Sequence, residues 1–395
     1  MELIDNKGNQ PPARKQSKRI PGTDGIRGIG ILMVLATHAS YSLPKFLQLA
    51  ALPAVANGRV AMQTFFVMSG YLIYELSAKE FEKTGKFDWR QFYLRRVLRI
   101  FPCFYSYIAV VAILAGLGLL ILAPAMIFAV LTFTWDYRDF WFPASIPSNE
   151  YVIEHYWTLC TEEQFYLSFP LLMYLFARKR LLPVVIGMIA LAPFVRVFCY
   201  FFFPESRGQI GFNFHTNFDA IAMGILLGEM WRRPRLKAWL QALAGNGWAL
   251  GGSLVFLLVL TPVLVDHLKG SYSIAIGRSL ELIATGVLVI TAAKGSSSSV
   301  LSAVLNWPPI VYIGALSYSL YVWNPLFLNP ESNWVVNRFP LNFICAFGAA
   351  IFSYYVIEKP ILGIKDRLRH RQEARATETA RLDQPRQGLP VTGDL

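Results

Sequence analysis

A chain of 395 residues that is 54% hydrophobic and 14% aromatic, with only 16% charged, is too apolar for an ordinary soluble domain or a disordered chain. Its 37 Lys and Arg against 25 Asp and Glu give a net charge of +12, but the basic residues gather in a few loops and the two tails, a pattern of membrane orientation rather than of nucleic-acid binding. Cys103, Cys160, Cys199 and Cys345 lie far apart in or beside apolar stretches, so they read as buried hydrophobes and supply neither a disulfide framework nor a metal site.

The chain opens on a basic tail, residues 1–20, with Lys7, Arg14, Lys15, Lys18 and Arg19. No small-residue cleavage site follows the first apolar stretch, so no cleaved signal peptide is expected. A span needs roughly 20 mostly apolar residues. Stretches of that kind recur at about 25–43, 59–77, 100–122, 156–177, 181–203, 213–231, 247–265, 274–293, 309–328 and 340–357. They predict an all-α, polytopic transmembrane helical bundle of about ten spans. The transmembrane unit covers 21–362, followed by a polar, disordered tail over 363–395 with at most a short helix near 361–376.

The basic loops fix the orientation. Lys79 to Arg99 follow the second span, Arg178 to Arg180 the fourth, and Arg232 to Lys237 the sixth. With both termini cytoplasmic, each cluster is cytoplasmic too, as expected of a multi-pass protein of a bacterial inner membrane. The stretch 124–155 is apolar only as far as Trp135. Counting it as a span would send Arg178 to Arg180 outside, so it is read as a re-entrant or surface-lying segment on the outer face.

Ionisable residues inside spans are expensive and are functional candidates by default. The first span carries Asp24, Arg27 and His38. Arg27 and His38 stand eleven positions apart, which returns them to nearly one helix face about 16 Å apart along the axis. An interfacial Asp24–Arg27 pair and a hydrogen-bonded core histidine would also account for these three. The fourth span gathers His155, Trp157, Glu162, Glu163, Gln164 and Tyr166, and the spacing predicts His155 and Glu162 on one helix side, with Glu163 turned away. Arg96 and Arg99 share a face at the cytoplasmic mouth of the third span, where planar guanidinium groups suit phosphate and equally suit a positive-inside anchor. Ser69, in Phe65-Phe66-Val67-Met68-Ser69-Gly70-Tyr71, and Ser317, Tyr321 and Asn324, in Ser317-Tyr318-Ser319-Leu320-Tyr321-Val322-Trp323-Asn324, carry less information, and small residues at the first suit close helix packing.

Taken in order, Asp-Gly-x-Arg-Gly with its Arg and His, Phe-Phe-x-x-Ser-Gly-Tyr, Arg-x-x-Arg-x-x-Pro, Trp-Thr-Leu-x-x-Glu-Glu-Gln-Phe-Tyr, Ser-Tyr-Ser-Leu-Tyr-x-Trp and Glu358-Lys359-Pro360 span about 20–362. The chain resembles the membrane acyltransferase family 3, whose members O-acylate surface carbohydrates and related acceptors. The resemblance implies a helical bundle with a pore, acyl-CoA entering from the cytoplasm, with acetyl-CoA the expected donor, and a carbohydrate or glycolipid acceptor on the outer side. By position it makes His38 the catalytic histidine, Arg27 its partner, Glu162 the family glutamate, and Arg96 with Arg99 the arginines near the CoA mouth. Where the family's ninth-span motif ends in histidine, this chain has Asn324, which accepts and donates hydrogen bonds but is no base at neutral pH.

Chemically, a thioester is already activated, so the protein has to deprotonate a hydroxyl, align it and stabilise an oxyanion. His38 suits the base, Glu162 is expected to orient His38 or His155, and Arg27 or backbone donors stabilise the negative charge. A covalent route through Ser69 or Cys160 is disfavoured, because neither stands beside a sequence-evident base. No metal and no nucleic acid is implied, while membrane lipid and a partner in polysaccharide assembly are. The rival readings are a non-enzymatic transporter or flippase with the same residues along a proton or anion path, and a structural subunit of a polysaccharide-assembly complex.

Overall fold

In lipid every backbone polar group has to be satisfied within the protein, which leaves long apolar runs the choice of helix or closed barrel. The computed structural model describes residues 22–40, 42–44, 56–142, 149–296, 299–329 and 332–364, and all regular structure among them is helical. The N-terminal tail and the C-terminal tail beyond 364 lie outside the described residues, and so does most of the helix expected near 361–376.

The helix starts follow local chemistry. α1 (Thr23–Ala39) is followed by α2 (Gly58–Thr84), whose N-terminus is capped by Asn57 accepting from the Val60 N–H and whose C-terminus is closed by Gly85 at φ 71. α3 (Trp89–Gly116) begins at Asp88, which accepts from the Gln91 N–H. α4 (Pro124–Leu131) opens on proline, as do α7 (Pro234–Gly245) and α11 (Pro308–Phe327). Between them lie α5 (Trp157–Phe202), α6 (Phe214–Trp231), α8 (Gly247–Val255), α9 (Thr261–Tyr272) and α10 (Arg278–Lys294), and α12 (Leu341–Phe352) follows α11.

Two of these runs fold back on themselves. On a straight helix Thr161 and Arg196 of α5 would stand about 52 Å apart. Yet Thr161 donates to the Phe212 carbonyl and Arg196 to the Thr216 carbonyl and Asp219, all within one short stretch of chain. The run is therefore a hairpin, with Arg180–Phe202 as its second arm. Likewise α8 packs against α10, because the helical run between them breaks at Lys269, at φ 48 and ψ −130.

Four segments are long and apolar enough to cross a membrane: Trp89–Gly116, Arg180–Phe202, Gly247–Lys294 and Leu341–Ile364. α1 is only 17 residues long, and α2 and α6 bury charged groups. α1 packs on α2 and α11, α2 on α6 and α10, α6 on α5, and α11 on α12. Where α2 meets α6 the backbones nearly touch: a Cβ on Gly70 would collide with the Ile221 carbonyl, and one on Gly224 with the Val67 carbonyl.

Polarity is arranged inside out, as a lipid solvent requires. Leu167, Leu171, Phe194, Phe198, Ile344 and Phe352 are exposed, while Glu75, Arg196, Asp219, Glu229 and Glu281 are buried. Each of these buried charges is paired, through Arg232–Glu75 at 2.5 Å, Arg196–Asp219 and Arg233–Glu229 at 2.8 Å, and Arg59–Glu281 at 2.7 Å.

The ambiguous segment after α3 is short. α4 has eight residues, about 12 Å of helix, too little to span. Beyond it Asp136 ties the connection to the bundle by accepting from Gln164 Nε2 at 2.8 Å and from the Phe214 N–H at 3.1 Å. Burial pushes its carboxyl up to about 7 against these donors. Gln164, part of a functional-looking motif, is thus a strut between the connection and α5.

Candidate active site

Helical repeat alone carries Arg27 and His38 to one face of α1, but they open into different cavities. Arg27, with Nη1 4.0 Å from Asp24 Oδ1, lines a cavity of about 110 Å³ together with Ser69, Arg96, Arg99, Glu162, Tyr166 and Ser317. His38 lines a second cavity of about 300 Å³ with Arg59, Gln63, His155, Trp157 and Arg278. Met62, Phe66 and Tyr321 belong to both walls, so the two cavities stand back to back with these three side chains between them.

The first cavity is charged. Arg95 is paired to Glu80 at 2.6 Å, whereas Arg96 and Arg99 make no ion pair among the described residues. The Arg96 guanidinium instead lies over the Tyr166 ring, 4.1 Å from its centre, a cation–π contact that holds it in the cavity wall without neutralising it. Tyr166 donates to Glu162 Oε2 at 3.0 Å and its hydroxyl also meets Ser69 Oγ. Glu163 lines neither cavity and has a buried Oε1 with no partner. Glu358, of the Glu-Lys-Pro motif, is buried and accepts from Ser319.

In the second cavity His38 is held by a residue 286 positions away. Its Nδ1 is 2.5 Å from Asn324 Oδ1. Asn324 is fully buried, and its Nδ2 donates to the carbonyls of Leu320 at 2.9 Å and Tyr321 at 2.8 Å. With both amide hydrogens engaged, its oxygen faces the imidazole and accepts from Nδ1–H, so the Nε2 lone pair is free to act as a base. The ring also meets Tyr151 edge-on, with centroids 5.9 Å apart.

Two expectations change. His155 does not share a helix with Glu162, because α5 starts at Trp157 and His155 ends the preceding turn, Tyr151–Glu154. Its ring packs on Tyr156, Tyr107 and Tyr321, and neither nitrogen makes a hydrogen bond of ordinary geometry. Glu162 consequently orients no imidazole among the described residues: its partners are Tyr166 and Ser69 in one cavity, while both histidines stand in the other. Trp157 packs edge-on against Phe66 and Phe212, at 5.8 and 5.0 Å between centroids. Tyr321 donates to the His155 carbonyl and pairs with Thr158 at 2.5 Å. Cys160 is fully buried and lines neither cavity.

Sequence reasoning missed Arg59, Gln63, Asn217, Arg278 and Glu281. Arg59, Arg278 and Glu281 lie in or at the edge of apolar runs, so the rule that singled out His38 would have found them. Among the described residues no group of His, Cys, Asp and Glu is arranged to hold a metal ion.

Residues 20–359 match the family model of the acyltransferase domain. The chain is 26% identical over 371 residues to O-acetyltransferase OatA of Staphylococcus aureus strain NCTC 8325 / PS 47, covering 87% of this chain and 57% of that protein. It is also 26% identical over 326 residues to a putative O-acetyltransferase of S. aureus strain COL, covering 78% of this chain and 51% of that one. The chain thus spans only half to three-fifths of these curated relatives, and no solved structure matches it. With the family model running from the opening of α1 to the Glu-Lys-Pro motif, through every motif that lines the two cavities, the chain belongs to the acyltransferase family.

Proposed function

We propose that the protein transfers an acyl group, acetyl in the first instance, from acyl-CoA to a hydroxyl of a carbohydrate or glycolipid acceptor. It does so as a multi-pass inner-membrane protein of about ten spans with both tails cytoplasmic. One observation carries this reading: a cavity with two unpaired arginines backs onto a cavity that holds an oriented histidine. The arginine cavity takes the donor, with Arg96 and Arg99 on the CoA phosphates, and the histidine cavity takes the acceptor.

In the reaction, His38 Nε2 takes the hydroxyl proton and the acceptor oxygen attacks the thioester carbonyl. The tetrahedral oxyanion, stabilised by Arg27 or backbone donors, collapses with loss of the CoA thiolate, and the imidazolium returns its proton to that sulfur. The acyl group has to pass between Met62, Phe66 and Tyr321. Asn324 keeps the hydrogen of His38 on Nδ1, the positioning task that the family's histidine would otherwise have at that place in the chain.

Purified protein given labelled acyl-CoA is expected to release CoA and move the label to acceptor. Label that stays on CoA under all conditions would leave a transporter. Asn324→Leu should lower kcat about 10²-fold with little change in donor KM, because the base loses its orientation. Asn324→His should retain more activity than the leucine variant, since an imidazole nitrogen can still accept from Nδ1–H. Equal losses in both variants would remove Asn324 from the mechanism. For topology, single cysteines near Lys83 and Arg233 should label from the cytoplasm, and those near Asn149 and Ser332 from outside. A cytoplasmic Asn149 would overturn the orientation of the segment after α3.

A further inference from the structure

The wall of the histidine cavity holds one positive charge more than the fold neutralises. Arg59 of α2 and Arg278 of α10 line it, and Arg196 of α5 lies within electrostatic reach of Arg278, as do two carboxylates. Arg59 is paired to Glu281 at 2.7 Å, and Gln63 donates to the other oxygen of that carboxylate at 3.2 Å. Arg196 is paired to Asp219 at 2.8 Å. Arg278 has only neutral partners: its Nη1 donates to Asn217 Oδ1 at 2.7 Å and to the Gly211 carbonyl at 3.3 Å.

Its Nε and Nη2 make no hydrogen bond among the described residues and are not sealed off. The acids within electrostatic reach, Glu281 and Asp219, already serve the other two arginines. Gly211 leaves room for this arrangement, since a Cβ there would stand 2.5 Å from Arg278 Nη2. An unpaired guanidinium in a low-dielectric wall is expensive unless a ligand supplies the counter-charge.

We infer that the acceptor carries an oxyanion, a carboxylate or phosphate on or beside the sugar that is acylated, and that Arg278 binds it in the cavity of His38. The inference rests on the acceptor assignment proposed above. Arg278 then selects acidic over neutral acceptors by a charge-assisted hydrogen bond, while Asn217 holds the guanidinium toward the cavity without neutralising it. An isosteric change at Asn217 makes the idea testable with Arg278 left in place: Asn217→Asp supplies a carboxylate to the same nitrogen and cancels the charge.

The test measures binding to the full chain in lipid nanodiscs by titration calorimetry. The probes are a galacturonic acid tetrasaccharide, the same tetrasaccharide as its methyl ester, and a phosphorylated neutral tetrasaccharide. The acid is expected to bind about ten- to hundredfold tighter than the ester. Arg278→Gln and Asn217→Asp should each bring that ratio to about one, and Arg278→Lys should keep part of it. Should Arg278→Gln fail to fold, Asn217→Asp, which keeps both side-chain shapes, decides alone.

The phosphorylated probe identifies the oxyanion: preference for it over the uronate assigns the pocket to phosphate, and the reverse to carboxylate. Equal affinity of the wild type for acid, ester and phosphorylated sugar, or an acid preference that survives Asn217→Asp, would overturn the inference. Labelled acyl-CoA added to the same samples separates the two readings. Transfer to acid and ester alike, with equal binding, sinks the role of Arg278 only. Selective binding of the acid with no release of CoA sinks the acyl transfer and leaves the anion site standing.

Discussion

His38→Ala is expected to lower acyl transfer by about 10²–10⁴-fold, the range that a positioned general base contributes. Losing the His38–Asn324 hydrogen bond leaves a buried amide oxygen unpaired and costs about 1–3 kcal/mol of stability, so the rate is taken per folded, inserted molecule. The wild-type rate should also fall at acid pH, where a protonated Nε2 has no lone pair to accept the hydroxyl proton, and the variant's residual rate should lack that acid limb. Transfer at the wild-type rate by His38→Ala would take the imidazole out of the reaction. The base would then have to be sought elsewhere, since His155, the other histidine on that cavity, has both ring nitrogens buried.

Replacing both Arg96 and Arg99 with Gln should weaken acyl-CoA binding by about 10²–10⁴-fold. Two charge-assisted contacts are worth about 1.5–3 kcal/mol each before solvent screening reduces them. The donor KM should rise far more than the acceptor KM, and the salt dependence of donor binding should flatten, because the charges that salt screens are gone. Lysines at both positions should rescue only in part, since a point charge cannot reproduce a planar fork, least of all at Arg96, which lies over the Tyr166 ring. Arg95→Gln is the control: it loses its ion pair with Glu80 and should leave donor affinity unchanged. If the arginines only anchor α3 at the membrane surface, the double variant should lose abundance while each folded molecule binds donor normally, so affinity per folded molecule decides.

What the sequence by itself determined is whatever depends on neighbours along the chain. Runs of about 20 apolar residues dictate helix in lipid, caps such as Asn57 and Asp88 sit where the helices start, and the eleven-residue spacing puts Arg27 and His38 on one face. Motifs in family order pointed to the acyltransferase family, and residues 20–359 match it.

Tertiary structure decided whatever joins residues far apart in the chain. The pairing of His38 with Asn324 crosses 286 positions and turned an apparent departure from the family pattern into the group that orients the His38 imidazole. Helical periodicity presumed one helix through His155 and Glu162, but a tightened turn at His155 and Tyr156 interrupts it, and the imidazole lines one cavity while the carboxylate lines the other. Arg278 shows the physical reason most plainly. A lone arginine in an apolar run reads the same whether or not it is neutralised, and only the packing of α2, α5, α6 and α10 reveals that Asp219 and Glu281 already belong to other arginines. Charge balance in a low-dielectric interior is a property of the assembled wall, and no stretch of the chain holds it alone.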